Sequence, residues 1–128
     1  MDMIILDTNF ILTCVKQEIR LFEQLRDSYP GEKIIVPEIV IEELNHLAKE
    51  RKLKMSERES ADLSLQIIGK ESILIFDLPE EKADDAIVNY AAKNPGTIVA
   101  SLDKEMMKRL KKKAKFLTIR KKKVVRER

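Results

Sequence analysis

The chain has 128 residues, 44% of them hydrophobic and 37% charged, with a formal net charge of +3; that is one globular domain with apolar mass for its own core, not a disordered or fibrous chain. A single cysteine, Cys14, excludes an internal disulfide and reads as a core residue, and a single histidine, His46, leaves no Cys/His set for zinc. No apolar stretch approaches the roughly 18 residues of a membrane span, and Met1-Asp2-Met3 opens no basic-then-apolar leader, so a cytoplasmic protein without membrane contact is expected.

Met3-Ile4-Ile5-Leu6 is apolar throughout, as in a strand buried on both faces of a parallel sheet. Asp7-Thr8-Asn9 follows, then a helix with Phe10, Ile11, Leu12 and Val15. A second helical stretch carries Ile19, Phe22 and Leu25 and is broken at Tyr29-Pro30-Gly31. Ile34-Ile35-Val36 is the second strand, and Pro37 suits the first turn of a helix running to about Glu50. Ser56-x-x-Glu59 has the form of a capping box and should start the next helix, which ends near Gly69.

Ile73-Leu74-Ile75-Phe76 is the third strand. A helix from Ala83 to Lys93 stops at Asn94-Pro95-Gly96. Thr97-Ile98-Val99-Ala100 is the fourth strand, Asp103 to Lys112 a Lys-rich helix, and Phe116-Leu117-Thr118-Ile119 a fifth strand. A basic tail at about 120–128 closes the chain. Alternating strands and helices predict an α/β sandwich with a mainly parallel sheet, occupied by one domain over residues 1–128. In such sheets ligands bind at the carboxyl ends of the strands.

Charge is unevenly spread along the chain. Residues 104–128 hold 13 Lys/Arg and 2 Asp/Glu, a net of +11, while residues 1–103 hold 12 basic and 20 acidic residues, a net of −8. The acidic body is suited to cations and the basic end to a polyanion. Lys108, Arg109 and Lys112 on the last helix, with Arg120, Lys121 and Lys122 in the tail, are the expected phosphate contacts.

Asp7 directly follows the first strand and Asp103 follows the fourth by three residues, so both belong at the carboxyl edge. Either could equally be a helix N-cap. In the helix after the second strand, Val40, Leu44, Leu47 and Ala48 define the buried face. At about 100° per residue, Glu43 borders that face and Glu42 points away from it. Asp84 and Asp85 open the helix after the third strand, and periodicity does not choose between them. His46 lies further round its helix than Glu43 and reads as a surface residue, and Asp77 as a turn residue. Four carboxylates in one pocket repel, by roughly 1 to 4 kcal/mol per pair at about 4 Å. Protonation or hard divalent cations relieve that repulsion, and oxygen-only ligands select magnesium or manganese. The chemistry this implies is phosphodiester hydrolysis.

These residues form a known pattern. Ile5-Leu6-Asp7-Thr8-Asn9, Val36-Pro37-x5-Glu43-Leu44, Ala83-Asp84-Asp85-Ala86-Ile87-Val88-x-x-Ala91-Ala92 and Ile98-Val99-Ala100-Ser101-Leu102-Asp103 stand in order and near strand ends. Over nearly its whole length the chain resembles the PIN-domain nucleases. The resemblance implies a three-layer α/β/α fold with a five-stranded parallel sheet ordered 3-2-1-4-5. It implies a catalytic and metal-binding quartet of Asp7, Glu43, Asp85 and Asp103, with Asp85 favoured over Asp84 because the motif places its Asp directly before Ala-Ile. Thr8, Asn9, Asp84 and Ser101 would support the quartet. Family members are ribonucleases using magnesium or manganese, and many are homodimers. Two branches fit: VapC-like toxins silenced by a small antitoxin, and nucleases of ribosomal RNA processing. The Ala-Asp-Asp motif, Ser101-x-Asp103-Lys104-Glu105-x-x-x-Arg109 and the basic end look closer to the second.

Two other classes compete with the nuclease. A non-catalytic RNA-binding scaffold on the same fold would have no use for converging carboxylates. A nucleotide-binding or phosphoacceptor domain would want a phosphate-cradling loop, and Gly31, Gly69 and Gly96 form none.

Overall fold

In a computed structural model, which describes residues 2–127 and every side chain among them but that of Lys112, the two faces of the sheet are read directly from alternation along its first strand. Ile4 and Leu6 enter one apolar core and Ile5 the other. The strands and helices are β1 (Met3–Leu6), α1 (Thr8–Lys16), α2 (Leu21–Ser28), β2 (Lys33–Pro37), α3 (Glu38–Lys49) and α4 (Met55–Gly69). They continue with β3 (Leu74–Phe76), α5 (Ala83–Lys93), β4 (Ile98–Ala100), α6 (Lys104–Leu110), β5 (Lys115–Arg120) and β6 (Lys123–Arg126). A 3-10 turn, Lys111–Lys113, joins α6 to β5.

The sheet order is β3-β2-β1-β4-β5-β6. β1 through β5 run parallel, and β6 runs antiparallel to β5. Helices α1 to α4 build the core on the first face, around Phe10, Leu25, Val40 and Leu44. Helices α5 and α6 build the second, around Ile87, Ala91, Met106 and Leu110. The result is the expected three-layer sandwich. No helix of the described residues is long and apolar enough to cross a membrane.

The sheet has one strand more than the sequence predicts. The stretch expected as a basic tail turns back at Lys121-Lys122 and pairs with β5, Thr118 opposite Val125 and Ile119 opposite Val124. The β-branched Val124 and Val125 supply the strand propensity, Val124 packs against the first core, and its N–H donates to Gln24 Oε1 at 2.9 Å. Both turn residues are left-handed, with φ of 51° at Lys121 and 59° at Lys122. Neither is the Gly or Asn that normally marks such a turn, so density of charge concealed a hairpin. The predicted capping box also does not form. α4 begins at Met55, Lys54 caps it without a side-chain bond, and Ser56 uses its carbonyl to accept from Ser60 Oγ at 2.9 Å. Pro37 ends β2 opposite Phe76 rather than entering the helix, and α6 stops at Leu110.

Cys14 is fully buried, and burial pushes its thiol up to about 12. The thiolate is the reactive form. Iodoacetamide at neutral pH is therefore expected to leave the native protein unlabelled and to label it stoichiometrically in guanidinium, as read by intact mass. Rapid native labelling would contradict that burial.

Candidate active site

Asp7 sits where β1 becomes α1, and its backbone serves both elements. Its N–H extends the sheet by donating to Ala100 O at 3.0 Å, and its carbonyl accepts from Ile11 N at 3.2 Å. As the N-cap of α1 it takes an extended backbone, and Oδ1 accepts from Thr8 N at 2.8 Å. Oδ2 accepts from the Ser101 hydroxyl at 2.9 Å. The side chain is therefore locked from both oxygens at the carboxyl edge of the central strands, with the residue only 9% exposed.

Burial raises the Asp7 carboxyl above its ordinary 3.8. The bonds from Ser101 and Thr8 pull it down in part, and the charges of Glu43 and Asp103 push it up again. Three carboxylates thus face one region and repel. Glu43 stands on α3 beside this region, half-buried while its neighbour Glu42 is exposed, the arrangement that helical periodicity requires. The Thr8 hydroxyl donates to Glu43 Oε2 at 2.8 Å. Asp103 caps α6, its Oδ1 accepting from Glu105 N at 2.9 Å and Met106 N at 3.3 Å. Its own N–H donates to Ser101 Oγ at 3.1 Å. A continuous polar chain therefore runs Glu43–Thr8–Asp7–Ser101–Asp103, and the two hydroxyl residues that connect it are buried.

Asp85 stands apart from that chain. It lies in the first turn of α5 and is paired with Arg109 of α6, Nη2 to Oδ1 at 2.8 Å. Arg109 Nη1 is 3.7 Å from Asp84 Oδ2, and Asp84 Oδ1 accepts from Asp85 N at 2.9 Å. The guanidinium thus pairs directly with Asp85 and leans towards Asp84, offsetting one of the two charges that open α5. The sequence carries no signal for this contact, since the partners are 24 residues apart. Asn9 is exposed, Asp77 is exposed, and His46 is a surface residue 3.6 Å from Glu50.

The donor set is all oxygen and mutually repulsive, which is the chemistry of a hard divalent cation site. Among the described residues no three His, Cys, Asp or Glu side chains are grouped closely enough to hold an ion as they stand. The donors fit such an ion in kind, and their side chains would have to close around it. A cleft of about 350 Å³ beside Glu43, lined also by Ile39, Glu42, His46, Leu47 and Glu81, opens next to the site. A more apolar groove of about 400 Å³ among α1, α2 and α4 is lined by none of the four carboxylates.

The expected phosphate contacts divide into separate groups. Lys108 is exposed, 3.4 Å from Glu105, and Arg109 is engaged with Asp85. Arg120 is pinned to Glu127 at 3.0 Å. Lys121 and Lys122 are exposed at the hairpin tip, and the side chain of Lys112 lies outside the described residues.

Residues 4–122 match the family described as PIN like domain. Ribonuclease VapC4 of Methanocaldococcus jannaschii is 35% identical over 108 residues, 84% of this chain and 81% of that protein. The solved structure of the PIN domain endonuclease Utp24 superposes with a TM-score of 0.80 at 27% identity, over 98% of this chain and 91% of that one. VapBC2 from Rickettsia felis, solved with a promoter DNA fragment, superposes with a TM-score of 0.56 at 14% identity, over 91% of this chain and 98% of its own, a likeness of fold.

Proposed function

The chain belongs to the PIN-like domain family, and from that premise we propose that it is a metal-dependent endoribonuclease whose site is built on Asp7, Glu43 and Asp103. The observation that carries this reading is the buried Asp7 carboxylate, held by Thr8 and Ser101 in a site that faces Glu43 and Asp103, its pKa raised first by burial and further by those two charges. A fold keeps such a repulsive arrangement at a cost in stability, and a bound cation relieves it. Asp85 would join the other three once Arg109 releases it.

Asp7, Glu43 and Asp103 would hold magnesium or manganese. When bound, the ion supplies charge neutralisation at phosphate and a water of lowered pKa. The protein's own groups do the positioning. Thr8 fixes Asp7 through its N–H and Glu43 through its hydroxyl, so one residue sets the spacing of two carboxylates. Ser101 ties the Asp7 carboxylate to the backbone of Asp103, donating to Asp7 Oδ2 and accepting from Asp103 N–H. In the hydrolysis, a water oxygen adds to phosphorus as the bond to one sugar oxygen breaks, leaving a phosphate monoester and a free hydroxyl.

The cellular task divides between a toxin silenced by a small antitoxin and ribosomal RNA processing. Likeness to Ribonuclease VapC4 favours the first, and the basic C-terminal hairpin together with the Ser101-x-Asp103-Lys104-Glu105-x-x-x-Arg109 stretch favours the second. Growth arrest on expression, reversed by a short gene encoded beside this one, would assign the toxin role. A homodimer is expected in either case and is checked by light scattering.

Cleavage of a labelled structured RNA is expected with manganese or magnesium and is expected to vanish in EDTA. Weak cleavage of equal rate with and without metal would overturn the nuclease in favour of an RNA-binding scaffold.

A further inference from the structure

We propose that the β5–β6 hairpin tip, Lys121-Lys122, is a cationic clamp that holds the RNA backbone beside the acidic site; the proposal rests on the nuclease reading and extends it to a substrate-binding element. Topology places the tip. β1, β4 and β5 are parallel neighbours, so their carboxyl ends share one edge of the sheet. Asp7 follows β1, Asp103 follows β4, and Lys121-Lys122 follow β5. Strands are spaced by about 4.8 Å. The register sets Leu6, Ala100 and Leu117 level. The tip therefore stands two strand spacings across from Asp7 and roughly 10 Å further out along the strand direction, at about 3.3 Å per residue. It lies on the same side of the sheet and within a few nucleotides of the carboxylates.

The backbone of the tip is what distinguishes it from an ordinary lysine-rich surface. The turn has two central residues, closed by the Arg120–Lys123 pair, and both are left-handed at φ of 51° and 59°. Such turns normally carry Asn-Gly, for which that conformation costs little. Lysine in both positions is strained where an unstrained alternative is available. Strain of this kind concentrates at functional sites.

Charge and anchorage agree with that reading. Lys121, Lys122 and Lys123 are exposed, and among the described residues they have no ion-pair partner. The base of the hairpin, by contrast, is tied down. Glu127 holds Arg120 at 3.0 Å and reaches to 3.7 Å from Lys104, the residue after Asp103. Its N–H also donates to Phe116 O at 2.8 Å. The free cations are thus carried on a rigid support tied to the rim of the site itself. Exposed lysines held in place are suited to phosphates, which they contact without regard to sequence.

The test measures binding of a labelled single-stranded RNA by anisotropy in EDTA across a salt series, alongside thermal melting. Lys121→Asn/Lys122→Gly should weaken binding about tenfold near 0.15 M salt and reduce the slope of log K against log salt by about 1.4, the value for two contacts on a single strand. The same variant should melt higher, because the turn is relieved. Lys121→Gln/Lys122→Gln should weaken binding equally without melting higher, which assigns the loss to charge. Lys111→Gln/Lys113→Gln, at the opposite end of β5, should cost less than half as much in slope. Unchanged affinity in the tip variants, or an equal loss in the opposite-end variant, would overturn the clamp while leaving the nuclease reading intact. Absence of any RNA binding by the wild type would overturn both.

Discussion

Asp7→Asn is expected to abolish RNA cleavage and, in the same molecule, to raise the melting temperature. The two effects have one cause. Asp7 is buried, and burial together with Glu43 and Asp103 raises its carboxyl above 3.8. The native state therefore holds the Asp7 proton more tightly than the unfolded chain does. A folded pKa above the unfolded value means that stability falls as pH rises through the interval between them, and stays reduced at neutral pH. Asparagine keeps an acceptor for Thr8 N and removes the charge. In EDTA at pH 7 the variant should melt above the wild type, and the gap should close as pH falls towards 3.8. Cleavage with manganese should drop on the order of 1,000-fold or more, since the group lost is the central anionic ligand. Addition of manganese should raise the melting temperature of the wild type and leave that of the variant nearly unchanged. A variant that melts lower at neutral pH and higher in acid would contradict the account of the buried charge. A variant that still cleaves would remove Asp7 from the chemistry.

The frame of this site was legible in the sequence because it obeys periodic rules. Helical periodicity separates Glu43 from Glu42, and the structure has the first half-buried and the second exposed. The rule that loops after parallel strands gather at one edge places Asp7 and Asp103 together, and both turn out to be N-caps as well, so the bland and the functional readings are compatible. What stayed hidden lacks a period. The Arg109–Asp85 pair joins two helices through side chains alone. Glu127, which ties Arg120 and Lys104 together, reads in sequence as one acid in a basic run. β6 was concealed for a different reason: its turn uses two lysines where backbone chemistry favours Asn-Gly. A hairpin that breaks the turn rule looks like a tail until its partner strand is seen.

Ser101→Ala should be the most damaging change that leaves every carboxylate in place. Ser101 is fully buried between the ends of β4 and α6, and its single oxygen serves two residues. It donates to Asp7 Oδ2 at 2.9 Å and accepts from Asp103 N at 3.1 Å. Alanine removes both bonds without adding bulk. Asp103, an exposed residue, then loses the partner of its N–H at a part-buried bond, and the buried Asp7 Oδ2 loses its donor, together about 1 to 2 kcal/mol. For a chain of this size that lowers the melting temperature on the order of 5 °C. The functional consequence is separable from the structural one. Loss of a residue that orients ligands typically costs about 10 to 100-fold in metal affinity or activity. The manganese concentration for half-maximal cleavage should therefore rise by that factor, measured well below the variant's melting temperature. Ser101→Thr retains the hydroxyl and should recover most of the metal dependence even where the added methyl costs some stability. A Ser101→Ala protein that is less stable but keeps the wild-type metal requirement would make Ser101 a packing residue only. The polar chain from Glu43 to Asp103 would then be two separate pairs that happen to share a neighbour.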